Sequence, residues 1–115
     1  MFEIWHNPRC SKSRQALAIL EDAEVEVNVR LYTEDAPSVA ELDRVLRALD
    51  LEPRDLVRFG EAVAKANDLK NRSLSRSEWL EAMVAAPILI ERPVVVRDDG
   101  RAVLGRPPEK VRELL

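Results

Sequence analysis

The chain has 115 residues, 46% of them apolar and 34% charged, with a net charge of −3. That length suits one domain around a single core, and the mild acidity argues against a general nucleic-acid or membrane-surface binder. No apolar run approaches the roughly 18 residues of a membrane span, and the start, MFEIWHNPRC, lacks the basic and apolar regions of a secretory signal, so a cytoplasmic protein is expected.

The segment FEIWH is short, apolar and aromatic, which predicts a strand ended by Asn7-Pro8. From Ser11 the pattern turns helical, with Ala16, Leu17 and Leu20 on one face. In VEVNVRLY, Val25, Val27, Val29 and Leu31 alternate with polar residues, the mark of a strand with one wet face. Strand, helix, strand in that order implies a parallel pair joined by a right-handed crossover.

The middle of the chain reads as helical. Ser38 with Glu41 forms a capping box ahead of an apolar stripe of Val39, Leu42, Val45, Leu46 and Leu49. EPRDLVRFG predicts a short helix opened by Pro53 and stopped near Gly60, and a further short helix is expected over 61–70. Ser75 with Glu78 is a second capping box, leading to a core face of Trp79, Leu80, Met83 and Val84. The end returns to sheet: RPVVVRDDGRAVLG reads as a hairpin around Asp-Gly, and PPEKVRELL as a closing helix with proline in its first turn. The expected organisation is a single domain over 1–115 with a helical insertion at about 38–86, an α/β chain ordered β-α-β, helical block, β-β-α.

Chemistry concentrates at the front. Cys10 and His6 are the chain's only cysteine and only histidine. No intramolecular disulfide, cysteine-based zinc site or multi-histidine metal site can form, and no bound metal or cofactor is expected. Cys10 falls between the first strand and the first helix. Ligands of open α/β sheets bind beyond the carboxyl ends of strands. The first turn of a helix presents unpaired N–H groups and partial positive charge, which lower a thiol's pKa and hold anions.

Two readings stand for Cys10. A free cysteine is commonly a small buried hydrophobe. Here the neighbours Pro8, Arg9, Ser11, Lys12 and Ser13 are those of a polar, reactive site rather than an apolar pocket. Ser11 and Ser13 supply donors, Lys12 and Arg14 add positive charge, and His6 is placed to favour the thiolate or move a proton. The sequence C-S-K-S has serine where a dithiol enzyme has its second cysteine, so a redox-active Cys10 needs an outside thiol to resolve it. Fourteen of the eighteen basic residues are arginine, which suits bidentate recognition of oxyanions.

Three segments, HNPRCSKSR, ILIERPVVV and LGRPPEKV, in that order and spacing, together resemble the glutaredoxin-dependent arsenate reductases and their close relatives. The resemblance implies a thioredoxin-like fold: a mixed four-stranded sheet with flanking helices and an inserted helical block. It also implies Cys10 as the nucleophile that attacks arsenate, or a similar oxyanion. Glutathione then acts as co-substrate, leaving a mixed disulfide that glutaredoxin clears. By position, His6 matches the family's thiolate-favouring histidine. Arg92 and Arg106 match two oxyanion-binding arginines, and Arg58 in DLVRFGE matches the third; Ser11, Lys12 and Ser13, substrate-binding candidates by their place at the helix start, depart from the small, uncharged residues that many members have after the cysteine. Pro93 resembles the cis-proline that faces the active cysteine in such folds. Two unit charges about 4 Å apart repel by roughly 4 kcal/mol at an effective dielectric near 20, so a thiolate approaching an arsenate dianion needs such cations.

Two rival functions fit the same scaffold. One is a general glutathione-dependent thiol-disulfide reductase, which uses Cys10 but has little need of the arginines. The other is an Spx-type regulator that binds RNA polymerase, whose redox switch usually needs the second cysteine that Ser13 replaces.

Overall fold

In the computed structural model, which describes residues 1–115, the first strand β1 runs from Phe2 to Trp5 and the first helix α1 from Ser11 to Asp22. Strand β2, Val27–Arg30, pairs parallel to β1, with Phe2 opposite Val27 and Trp5 opposite Arg30. Near the end of the chain, β3 (Val94–Arg97) pairs antiparallel to β1, and β4 (Ala102–Leu104) pairs antiparallel to β3. The sheet order β2-β1-β3-β4 is mixed, as expected for a thioredoxin-like fold.

The chain divides into two compact units, residues 1–35 with 92–115, and residues 36–91. In the first, Phe2, Ile4, Val95 and Val103 line one face of the sheet. They pack with Ala16 and Leu20 of α1 and with Val111 and Leu114 of the closing helix. The period of two along β1 sends Phe2 and Ile4 to that face, and the helical spacing of Ala16 and Leu20 matches them. Gly100, at φ +88, makes the hairpin turn in a conformation that side chains disfavour. Arg97 then ties the hairpin down, donating to the Asp99 carboxylate and to the Leu114 carbonyl.

The second unit is helical. Helix α2 covers Val39–Leu49, α3 covers Ala62–Ala66 and α4 covers Arg76–Ala85. Both predicted capping boxes form: Ser38 accepts from the Glu41 N–H while Glu41 accepts from the Ser38 N–H, and Ser75 and Glu78 repeat the exchange. Leu42, Val45 and Leu46 of α2 and Trp79, Leu80 and Met83 of α4 are buried. No helix is long and apolar enough to cross a membrane.

Several expectations are corrected. Strand β2 is shorter than predicted, and Val29 and Leu31 are 44% and 37% exposed. Only Val25 and Val27 join the core, because β2 is an edge strand and its alternation runs past the cover. The helix expected from Pro53 is a single 3-10 turn, Pro53–Leu56, after which Val57 bridges Ile90 in extended form. The helix expected over 61–70 breaks at Asn67 and Asp68, the latter left-handed at φ 49. The closing helix, Pro108–Leu114, is 3-10 rather than α.

Candidate functional site

Strand order alone brings three distant segments together. Strand β3 runs antiparallel to β1, so it begins beside the end of β1, and β4 returns to the same end. The residues just after Trp5, just before Val94 and just after Leu104 therefore meet at one end of the sheet. These are His6 to Cys10, Arg92-Pro93, and Gly105-Arg106.

The first segment is a tight turn. The Asn7 side-chain oxygen accepts from the Arg9 N–H at 3.0 Å, and its carbonyl accepts from the Cys10 N–H at 3.0 Å. Cys10 then stands at the N-cap of α1 with extended backbone, φ −94 and ψ 119, and closes no capping hydrogen bond through its side chain. The first-turn N–H groups of Lys12 and Ser13 are left to face the sulfur.

The second and third segments deliver arginines. The Arg106 Nη1 lies 3.9 Å from Cys10 Sγ and donates to the Arg92 carbonyl at 2.8 Å. Arg92 is buried, and its side chain also donates to the sulfur. The Arg92-Pro93 peptide bond is cis, and so is Arg106-Pro107. Gly105 donates to the Pro93 carbonyl at 2.8 Å. A Cβ at Gly105 would stand 2.8 Å from Pro93 Cγ and 3.2 Å from Val111 Cγ1, so only glycine lets the two arginine-bearing segments approach this closely.

Opposing effects act on the thiol. Burial works to raise its pKa; the Ser13 N–H, the Arg92 guanidinium, the Lys12 N–H and the Arg106 guanidinium outweigh it and hold the pKa below its ordinary value. All four donors favour the anion, so the sulfur ionises more readily than a free thiol.

His6 contributes differently from a cation beside the sulfur. Its pKa is lowered by burial and by the Arg14 charge, against a smaller opposing effect of Glu21, so the ring is neutral at pH 7. Its Nδ1 bonds Ser13 Oγ at 2.6 Å, and Ser13 Oγ accepts from the Asn7 N–H at 3.1 Å. The Ser13 hydroxyl thus joins the histidine ring to the backbone of the turn. Ser13 is fully buried and its hydroxyl is spent on this network, so what it offers the sulfur is its backbone N–H. Lys12 likewise acts through its N–H, while the Ser11 and Lys12 side chains are exposed at the helix start.

Arg58 lies in the second unit, where its guanidinium bonds Glu61 at 2.9 Å and Glu91 at 2.5 Å. No group of three or more His, Cys, Asp or Glu side chains is placed to hold a metal ion. Asn7, Gly105, Glu61 and Glu91 did not stand out in the sequence as functional. The Asn-Pro step was a signal for the first, but the other three show their meaning only through what folding brings beside them.

Comparison with known proteins matches this arrangement. Residues 5–114 match the ArsC family. An arsenate reductase of Haemophilus influenzae is 40% identical over 113 residues, covering 97% of each chain. The uncharacterised protein YfgD of Escherichia coli is 44% identical over 114 residues, covering 98% of this chain and 95% of that one. The structure of an arsenate reductase from Vibrio cholerae superposes with a TM-score of 0.92 at 45% identity, covering 99% of this chain and 97% of that one. A family match over residues 5–114, with relatives 40% and 44% identical along nearly the whole length, leaves one assignment: the chain belongs to the ArsC family.

Proposed function

We propose that the protein is an arsenate reductase whose nucleophile is Cys10. The observation that carries this reading is the set of donors around one sulfur: two backbone N–H groups at a helix start and the guanidiniums of Arg92 and Arg106. A simple disulfide exchange needs an ionised thiol, but it does not need two cations beside it. A tetrahedral oxyanion does, because its own charge opposes the thiolate.

In the reaction, the Cys10 thiolate attacks arsenate; a sulfur–arsenic bond forms as one arsenic–oxygen bond breaks, and that oxygen leaves as water with arsenate's own proton and one from solvent, giving a sulfur-bound arsenate ester. A glutathione thiolate then attacks the Cys10 sulfur. The sulfur–arsenic bond breaks with its electron pair leaving on arsenic, which departs as arsenite. The sulfur atoms are oxidised by two electrons to a mixed disulfide, and glutaredoxin exchanges the glutathione away. Arg92 and Arg106 neutralise the oxyanion as it meets the thiolate, and the Lys12 and Ser13 N–H groups hold the sulfur's charge. His6 and Ser13 keep the helix start in place, and the exposed Ser11 and Lys12 line the approach. The chain has no second cysteine to resolve the adduct, which favours a small outside thiol and a carrier, and with them a reducing cytoplasm.

Arsenate-dependent NADPH oxidation, coupled through glutathione, glutathione reductase and glutaredoxin, tests the proposal. Turnover is expected with the native chain and none with Cys10→Ser. Equal rates for the two proteins would refute it, and turnover of disulfides alone would favour the general thiol reductase.

A further inference from the structure

The end of the first unit that carries Cys10 is rich in cations, and the far end is rich in acids. No acidic residue lies between Glu3 and Glu21, while Arg9, Lys12 and Arg14 flank the cysteine and all three are exposed. Helix α1 runs back from this end, so Glu21 and Asp22 close it at the other. Glu26 and Asp98 stand there too: the Glu26 carbonyl accepts from the Phe2 N–H, and the Asp98 N–H donates to the Met1 carbonyl. The acids that return to the cysteine end are Glu34, Asp35 and Glu109, and Asp35 pairs with Arg30. A helix is stabilised by acids in its first turn and bases in its last. In α1 both ends are reversed, with Lys12 and Arg14 at the start, Glu21 and Asp22 at the finish, no acid in the first turn and no base in the last. The helix carries these charges against its own stability.

Two of the cations have no task in the fold. Arg14 donates to the Pro8 carbonyl at 2.8 Å. The ion pairs of this unit join Met1, Arg30 and Arg97 to carboxylates and leave out Arg9 and Lys12. These two lie one residue before and two residues after Cys10, which is itself partly exposed. The donors to the sulfur are Arg92, Arg106 and two N–H groups, so the Arg9 and Lys12 side chains stand outside that set.

We propose that Arg9 and Lys12 are specificity-determining residues for the resolving thiol: their side chains receive the carboxylates of an anionic thiol, glutathione being one, as its sulfur approaches Cys10. The inference rests on the reading of Cys10 as the nucleophile. A thiolate that approaches a sulfur carrying an arsenate group meets like charge, and carboxylates on the same molecule add to the repulsion. Cations outside the oxyanion site offset it. Lys12 then acts through its side chain on the second reactant, not on the oxyanion.

The test is disulfide exchange at Cys10 in the full chain, followed by mass spectrometry, with three probes at one pH and low salt: doubly negative glutathione disulfide, neutral hydroxyethyl disulfide and doubly positive cystamine. In each, the Cys10 thiolate attacks one probe sulfur, a new sulfur–sulfur bond forms, the old one breaks, and half of the probe leaves as a thiolate. The rate with each charged probe is divided by the rate with the neutral one, so a change in the Cys10 pKa cancels. Arg9→Gln and Lys12→Gln should each lower the glutathione ratio by about twofold to fivefold and raise the cystamine ratio. Salt at about 0.5 M, where the screening length is about 4 Å, should lower the native glutathione ratio likewise. Arg101→Gln removes the same charge from the exposed hairpin at the far end and should leave both ratios at their native values. Ratios unmoved in both variants, equal shifts from Arg101→Gln, or no exchange with any probe would overturn the inference. In arsenate turnover the two variants should raise the KM for glutathione and not the KM for arsenate. The reverse would put both side chains on the oxyanion and overturn it as well. If the native chain shows no arsenate turnover, the proposed function fails, while the exchange rates, which use no arsenate, still decide whether these side chains select the thiol.

Discussion

Replacing Gly105 with alanine probes the joint that brings the two arginine segments together. The added methyl would sit 2.8 Å from Pro93 Cγ, 3.2 Å from Val111 Cγ1 and 3.5 Å from the Ala16 Cβ. The first distance is inside any real carbon–carbon contact, and the atoms it meets belong to a buried ring and a buried core side chain. Overpacking of this kind costs about 1–3 kcal/mol. Gly105 is not in a left-handed conformation, so alanine also recovers about 0.4–1 kcal/mol by restricting the unfolded chain. The net is a loss of up to about 2.6 kcal/mol, which for a domain of this size lowers Tm by up to about 10 °C. Pro93 follows Arg92 and Gly105 precedes Arg106, so the displacement moves both guanidiniums and raises the thiol pKa. The assay is thermal unfolding by circular dichroism with a thiolate titration on the same samples. Gly60→Ala is the control, since its methyl would meet nothing within 4 Å. If Gly105→Ala melts no lower than Gly60→Ala and titrates like the native chain, the close-approach argument is wrong.

Three further outcomes are expected. Arg106→Ala removes the guanidinium 3.9 Å from the sulfur, and losing one charge-assisted contact should cost roughly 1.5–3 kcal/mol, or about one to two decades in kcat/KM for arsenate; steady-state kinetics would read it. Ser13→Ala strips the acceptor from the Asn7 N–H and the partner from His6 Nδ1 in a buried place, so denaturant unfolding should show a loss of about 1–3 kcal/mol, with a raised thiol pKa. For His6 the folded pKa lies below the ordinary 6.5. The unfolded chain therefore takes up the proton first, and stability present above pH 6.5 falls as pH drops toward the folded pKa. Thermal melts across that range should show this fall, and His6→Gln should remove it.

Much of the fold was legible because its signals are local. The Ser38/Glu41 and Ser75/Glu78 boxes, the Asp-Gly turn and the β-α-β opening each declare themselves within a few residues, and each forms. What misled the reading was longer in reach. The alternation through Val29 and Leu31 looked half-buried, but only the position of β2 at the sheet edge decides what covers it. The prolines at 107 and 108 marked a helix start without revealing that it would be 3-10.

The site divides the same way. That Cys10 falls at the start of α1 was legible from the strand and helix patterns on either side of it, which are local. The direction of its partners was not. Ser13 looked like a substrate-side hydroxyl, and folding turns that hydroxyl inward to His6 and Asn7. Arg92 and Arg106 came from the family resemblance, and it takes strand order to bring them to the sulfur 96 residues away from Arg106. Gly105 carried no signal, because its constraint is the ring of Pro93, which reaches it only in the folded sheet.

The central claim is that Cys10 is a thiolate near neutral pH in a site that accepts a tetrahedral oxyanion. The rate of its alkylation by iodoacetamide against pH, with and without arsenate in the absence of glutathione, measures both halves at once. The account predicts a midpoint below the free-thiol value of about 8.5 and slower alkylation when arsenate is present. A midpoint at or above that value, with arsenate making no difference, would contradict it.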